Sequence, residues 1–284
     1  MQDETNGNQE FGPPDIFSAL NNYILLLFGM ACILSSVFIQ QLFFEMDQLH
    51  AGVLVAPVLG IILPVYVIAR RFPAGIRKQF FIRRPHWLLT LYVLVATLCV
   101  IVIVDYAYAL SQKFMTTPDD YVEGLKELKP TGTAAIVMTF VGICVLVPIA
   151  EELVFRGLVQ RVFSRNMGGV LALFLAGVFF GVVHLTPQLL LSMVAFGIFL
   201  GYLFFATSNL TYPILAHCVL NTVSFVQLLT LPEDELAAAA PYAQNYWILL
   251  LSFALVSYLL VRIKKGASAR AEVPGDPFGD SHAV

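Results

Sequence analysis

The sequence predicts an all-α polytopic membrane bundle of about eight transmembrane helices, on three observations. Hydrophobic residues make up 58% of the 284 residues and charged residues 12%, with a mean hydropathy of +0.80, a balance outside the range of soluble domains. The apolar residues gather in runs near the roughly 20 needed to cross about 30 Å of hydrocarbon. Basic residues collect in alternate connections, as the positive-inside rule requires of a multi-pass chain. A net charge of −3 offers no basic surface for nucleic acid, so that class of partner is set aside and the bilayer takes its place.

The elements follow in order. A polar leader over 1–19, with Asp3, Glu4 and Glu10, has no basic n-region and no small-residue cleavage site before Gln41, so it is expected to be retained. Spans one and two are expected over 20–40 and 51–69. Arg70, Arg71, Arg77, Lys78, Arg83 and Arg84 crowd the connection to span three (87–108), which places that connection in the cytoplasm. Trp87 marks the start of span three as an interfacial anchor, and Asp105, near its outer end, reads as an interfacially solvated spectator.

The stretch 111–132, with Pro118, Asp119, Asp120, Glu123, Glu127 and Pro130, reads as an outer loop carrying a short surface helix. Span four (133–152) continues as an amphipathic stretch to about Arg165, so its helix is expected to project beyond the membrane. Spans five to eight are expected over 168–186, 189–206, 210–229 and 245–263, the last opened by Tyr242, Tyr246 and Trp247. Arg161, Arg165, Arg262, Lys264, Lys265 and Arg270 then fall inside, against only Lys113, Lys126 and Lys129 outside, so both termini are expected in the cytoplasm. The tail 266–284, with Pro274, Gly275, Pro277 and Gly279, reads as disordered. The organisation is therefore three spans and an outer loop over 20–132, a polar-residue-bearing core over 133–229, and a last loop and helix over 230–265. Cys32, Cys99, Cys144 and Cys218 lie within apolar runs without CxxC spacing and read as buried thiols.

The core carries the chemistry. A carboxylate within a bilayer costs roughly 2.5 to 3.5 kcal/mol, yet Glu151 and Glu152 adjoin in the fourth span. Glu152 and Arg156, four apart with the acid first, suit an ion pair on one helical face. Glu151 projects about 100° away and is free to address another surface. An acid in an apolar cavity becomes a better proton acceptor near neutral pH, so activation of water is its natural task. His184 can share that water, with Phe180 one turn earlier shaping the pocket. His217 and Asn221, again four apart, present two hydrogen-bond donors side by side, as an oxyanion hole does. Counted along straight helices, Glu151 and His184 lie about 25 Å from the turn near Met167, but His217 only about 12 Å from Asn209.

At these residues the chain resembles the CAAX-protease and bacteriocin-processing family, which includes the type II CAAX prenyl endopeptidase. Glu151-Glu152-Leu-Val-Phe-Arg156 is similar to its EExxxR motif, Phe180-Gly-Val-Val-His184 to FxxxH, and His217-Cys-Val-Leu-Asn221 to HxxxN. Gly197, Gly201 and the turn through Thr207, Asn209 and Pro213 resemble its glycine-containing helix and following turn. The resemblance covers about 133–229 and implies an eight-helix intramembrane endopeptidase. It further implies Glu151 as general base, His184 as water-binding partner, His217 and Asn221 as oxyanion stabilisers, and Glu152 and Arg156 as braces. The implied substrate is a peptide or protein, prenylated or not, and the membrane is the plasma membrane in a prokaryote or the endoplasmic reticulum in a eukaryote.

Two versions of that protease stand open. A metal-free glutamate mechanism with no cofactor is favoured, because HExxH is absent and Asn221 is a poor zinc ligand. The alternative is a zinc enzyme with Glu151, His184 and His217 as a His₂Glu set. A catalytically silent scaffold has no need of His217 beside Asn221. A proton-coupled transporter would call for a matching polar site in the first three spans or an inverted repeat, and neither is evident.

Overall fold

The computed structural model describes residues 15–271, and the expected leader up to residue 14 and tail from 272 lie outside the described residues. The described chain is helical with no strand. Its helices are α1 (Ile16–Ala19), α2 (Asn22–Glu45), α3 (Leu49–Ala69), α4 (Gly75–Gln79), α5 (Trp87–Ser111) and α6 (Asp119–Leu128). They continue as α7 (Thr133–Met167), α8 (Gly169–Val182), α9 (Pro187–Thr207), α10 (Thr211–Thr230) and α11 (Tyr246–Ala271), the last running on through Gly266.

Seven of these, α2, α3, α5, α7, α9, α10 and α11, are long and apolar enough to cross a membrane, and the protein is an integral multi-pass membrane protein. The fifth expected span falls short. Helix α8 has 14 residues, about 21 Å at a rise of about 1.5 Å per residue, so eight full-length spans are not reached. The helix stops because Leu185 takes a left-handed backbone with φ of 53°, uncommon for a bulky residue, and Pro187 follows. Helix α7 is long, in line with the expected projection: its 35 residues span about 50 Å, well over the hydrocarbon thickness.

Three π-helical segments interrupt the long helices, at Val58–Ile62 in α3 and at Gly142–Leu146 and Phe155–Gln160 in α7. The first two immediately precede a helical turn that carries Pro64 or Pro148. Proline supplies no N–H to the carbonyl one turn back, and the chain widens there. In α7 the N–H of Val147 reaches back to Gly142 O, so the carbonyl of Ile143 faces Pro148, which cannot donate.

Two apolar clusters pack around α7. One joins α5, α9, α10 and α11 through Val93, Val100, Leu200, Leu203 and Leu259, and takes in Phe155. The other joins α1 to α3 through Phe17, Leu25 and Val65, and takes in Leu153, Val154 and Leu158. The polar residues of α7 therefore sit where the two clusters meet. Exposed Leu27, Leu34 and Phe38 on α2 and Leu171, Phe174 and Val178 on α8 provide lipid-facing surface, while exposed Trp87, Tyr246 and Trp247 stand at helix starts, where aromatic rings favour the membrane interface.

The two ends of the bundle differ. At one, the N–H of Leu210 donates to Phe81 O at 3.0 Å and that of Arg83 to Asn209 Oδ1 at 3.2 Å. These bonds stitch the basic segment before α5 to the α9–α10 turn. At the other end the Tyr242 hydroxyl donates to the carboxylate of Asp105. Asp105 is thus partly buried and partnered rather than bathed in interfacial water, the expectation from its place in the sequence. Burial and the Asp105 carboxylate together push the Tyr242 hydroxyl above its ordinary range.

Candidate active site

Glu152 is the centre of the polar cluster. Its side chain is fully buried, and Oε1 accepts from Arg156 Nη1 at 2.9 Å and from His217 Nδ1 at 2.9 Å. The i,i+4 spacing supplies the first contact and the packing of α10 on α7 supplies the second. Arg156, also fully buried, sends Nη2 to Gly197 O at 2.9 Å and lies 4.8 Å over the Phe180 ring. One turn on, Gln160 Nε2 donates to Gly201 O at 3.0 Å. Two side chains four apart on α7 thereby bond two carbonyls four apart on α9. Glycine at both places leaves those carbonyls uncovered, and at Gly197 the requirement is steric as well: a Cβ there would lie 2.8 Å from Gly177 O. The close approach of α8 and α9 at this pair follows the small-residue packing of membrane helices.

His217 is buried and held on three sides. Phe196 and Phe180 contact its ring edge-to-face at 5.4 and 5.8 Å between centroids, and Glu152 takes Nδ1. A carboxylate that already faces a guanidinium acts as an acceptor, so Nδ1 carries a proton and Nε2 is the nitrogen left for chemistry. It points at Glu151, with Nε2 to Oε2 at 3.8 Å. Glu151 Oε2 is buried and has no hydrogen-bond partner, while the Glu151 side chain as a whole is 22% exposed. Adjacent acids therefore differ: Glu152 is sealed and engaged through Oε1, whereas Glu151 is partly exposed and has a buried acceptor without a partner.

His184 lies just past the last turn of α8. Its Nδ1 donates to Phe180 O at 2.7 Å, which fixes the tautomer, because a carbonyl can only accept; Nε2 is left as an acceptor. Phe180 stands between the two histidines, its ring 4.8 Å from that of His184. Among the described residues His184 forms neither a hydrogen bond nor an ion pair with Glu151 or His217.

Asn221 is placed by a device that sequence reasoning did not find. Its Nδ2 donates to Ile143 O at 2.9 Å, the carbonyl that Pro148 leaves without a helical donor. One amide proton is committed to this bond and the other is not. The sequence signal was a proline within the fourth span, one turn before the paired acids. The height mismatch counted along straight helices does not keep His217 from Glu152, and part of it is taken up by the six-residue π segment Phe155–Gln160, whose wider winding shortens the rise. Also missed were Phe196, which looks from sequence like ordinary apolar filling, and the role of the Gly197 carbonyl as the acceptor of Arg156, although Gly197 itself stood out in the resemblance.

The zinc version needs Glu151, His184 and His217 gathered around one point. Among the described residues no group of three or more His, Cys, Asp or Glu side chains stands at metal-holding spacing. The donor set does not fit in this conformation, and no step below is routed through a metal.

Fold and site together define an integral membrane protein with a buried acid–histidine cluster. Residues 133–223, which hold every site residue named above, match the family model Rce1-like, type II CAAX prenyl endopeptidase, and in this part the chain is similar to that family. The match points to intramembrane endopeptidase activity on a peptide or protein substrate. Among curated proteins and among solved structures, none matches the chain.

Proposed function

We propose that the protein is a glutamate-type intramembrane endopeptidase that cleaves CAAX-type or related peptides, prenylated or not, with the basic end of the bundle and both termini on the cytoplasmic side. The observation that carries this reading is the pairing of Glu151 Oε2, buried without a partner, with His217 Nε2 at 3.8 Å, while Glu152 holds the other ring nitrogen. Glu151 takes a proton from water as that water attacks the scissile carbonyl, and returns it to the leaving amine as the C–N bond breaks. His184 offers its Nε2 lone pair to the same water. The tetrahedral oxyanion then accepts from the uncommitted amide proton of Asn221 and from His217 Nε2, which donates when the ring carries both protons and Glu152 stands as counter-charge at Nδ1. Arg156 and Gly197 act through Glu152, as positioning groups.

The test is cleavage of a quenched fluorescent peptide, with and without a prenyl group, by the purified full-length chain in detergent. Glu151→Gln is expected to lower kcat by about 10² to 10⁴-fold, the usual worth of a general base, with an unchanged unfolding midpoint. Cleavage that survives this substitution refutes the base assignment. Cleavage lost to a chelator and restored by zinc returns Glu151, His184 and His217 to the metal-ligand reading. Cleavage of neither peptide by the wild-type chain favours the silent scaffold.

A further inference from the structure

Apart from the acid–histidine site, a second polar feature lies at the basic end of the bundle. A groove of about 390 Å³ runs between the start of α5 and the end of α11. Its lining takes Leu88, Leu89 and Tyr92 from α5 and Arg262, Lys265 and Arg270 from α11, with the Tyr92 side chain hydrogen-bonded to Arg262. It is continuous, through Leu89 and Arg270, with a smaller compartment that adds Arg83 and Arg84 beside the α9–α10 turn. No Asp or Glu lines either compartment among the described residues. Arg270 Nη1 is buried there with no hydrogen-bond partner, which is unusual for a guanidinium N–H.

Basic residues that serve only to orient a membrane protein project into water and need no groove. Here they converge on one, and an apolar wall runs from it along α5 towards exposed Leu91. Arginine forks suit phosphate oxygens, and basic pockets between helix ends on the positive side of a membrane are suited to anionic headgroups. We infer that this groove is a binding site for the phosphate group of an anionic phospholipid, with the acyl chains laid along Leu88, Leu89 and Tyr92. The chemistry it selects is a phosphate ester. Its source is the lipid leaflet, because the cationic and apolar sides adjoin.

The chain has two tryptophans, and Trp87 lies in sequence between the groove residues His86 and Leu88. In a Trp247→Phe background, Trp87 fluorescence reports the lipid beside the groove. The full-length protein is reconstituted in vesicles of phosphatidylcholine with phosphatidylglycerol, one or the other brominated. Brominated phosphatidylglycerol is expected to quench Trp87 more strongly than brominated phosphatidylcholine at equal mole fraction, and the preference to weaken with added salt. Arg84→Gln with Lys265→Gln, both at exposed positions, is expected to weaken the preference by about thirtyfold, the worth of two interfacial charges. Equal quenching by the two wild-type lipids, or an unchanged preference in the double variant, overturns the site. Release of brominated phosphatidylglycerol by millimolar inorganic phosphate overturns the lipid assignment in favour of free phosphate. The wild-type comparison decides the matter even where the double variant fails to fold.

Discussion

Arg156→Met isolates the energetic centre of the site. Glu152 is fully buried and keeps, once the guanidinium is gone, only the His217 Nδ1 bond at 2.9 Å. Its Oε2 has no hydrogen-bond partner even in the intact site. Breaking a buried pair by removing one partner costs about 3 to 5 kcal/mol, because the remaining charge stays buried. Loss of the bond to Gly197 O adds less, since that carbonyl lies within a continuous helix. Against a total stability of roughly 5 to 15 kcal/mol the change is large, and at about 2 to 4 °C per kcal/mol it lowers the unfolding midpoint by roughly 6 to 20 °C. Circular dichroism of the detergent-solubilised chain measures it. Glu152→Gln added to Arg156→Met removes both charges and leaves His217 a neutral acceptor, so the double variant is expected to recover more than half of the loss. A stability within about 1 kcal/mol of wild type for Arg156→Met, or a double variant no more stable than the single one, would refute the uncompensated-charge argument.

Three further outcomes follow from the contacts around that centre. Asn221→Ala strips the Ile143 carbonyl of its donor and is expected to cost about 1 to 3 kcal/mol, and the cost should shrink when Pro148→Ala supplies a new N–H; an equal cost in both backgrounds, read by unfolding in a double-mutant cycle, would dissociate the proline from the orphaned carbonyl. Gly197→Ala introduces a Cβ 2.8 Å from Gly177 O and is expected to cost about 1 to 3 kcal/mol through overpacking while displacing the acceptor of Arg156, so midpoint and cleavage rate should fall together. His184→Ala should lower cleavage of the fluorescent peptide by about tenfold or more yet leave the midpoint nearly unchanged, because its one hydrogen bond is to the backbone of its own helix; an equally large loss of stability would make it a structural residue.

Much of this architecture was legible in the chain. Apolar run length located the long helices, and the i,i+4 spacing of Glu152 and Arg156 foretold a contact found at 2.9 Å. What stayed hidden was of two kinds. Backbone conformation was one: nothing in the apolar run 168–186 announced that Leu185 would adopt a positive φ and end α8 early. Competition for a partner was the other. Pattern assigned Glu152 to Arg156, and only packing revealed that the same oxygen also holds His217, which leaves Nε2 to face Glu151. The bond from Asn221 to Ile143 belongs with these, since it depends on a proline in one helix and an amide in another, 78 residues apart.

The shortness of α8 bears on how water reaches the chemistry. Its exposed side chains, Val170, Leu171, Phe174, Leu175, Val178 and Val182, form an apolar stripe about 18 Å tall at about 1.5 Å per residue, against roughly 30 Å of hydrocarbon. Mismatch of that size is relieved by local thinning of the bilayer beside the helix. The end of the stripe is the turn carrying His184, followed by Leu185 at 84% exposure. The membrane is therefore expected to thin against α8, the helix that ends just before His184. On the proposed reading, the attacking water is expected to have its shortest route from bulk solvent there.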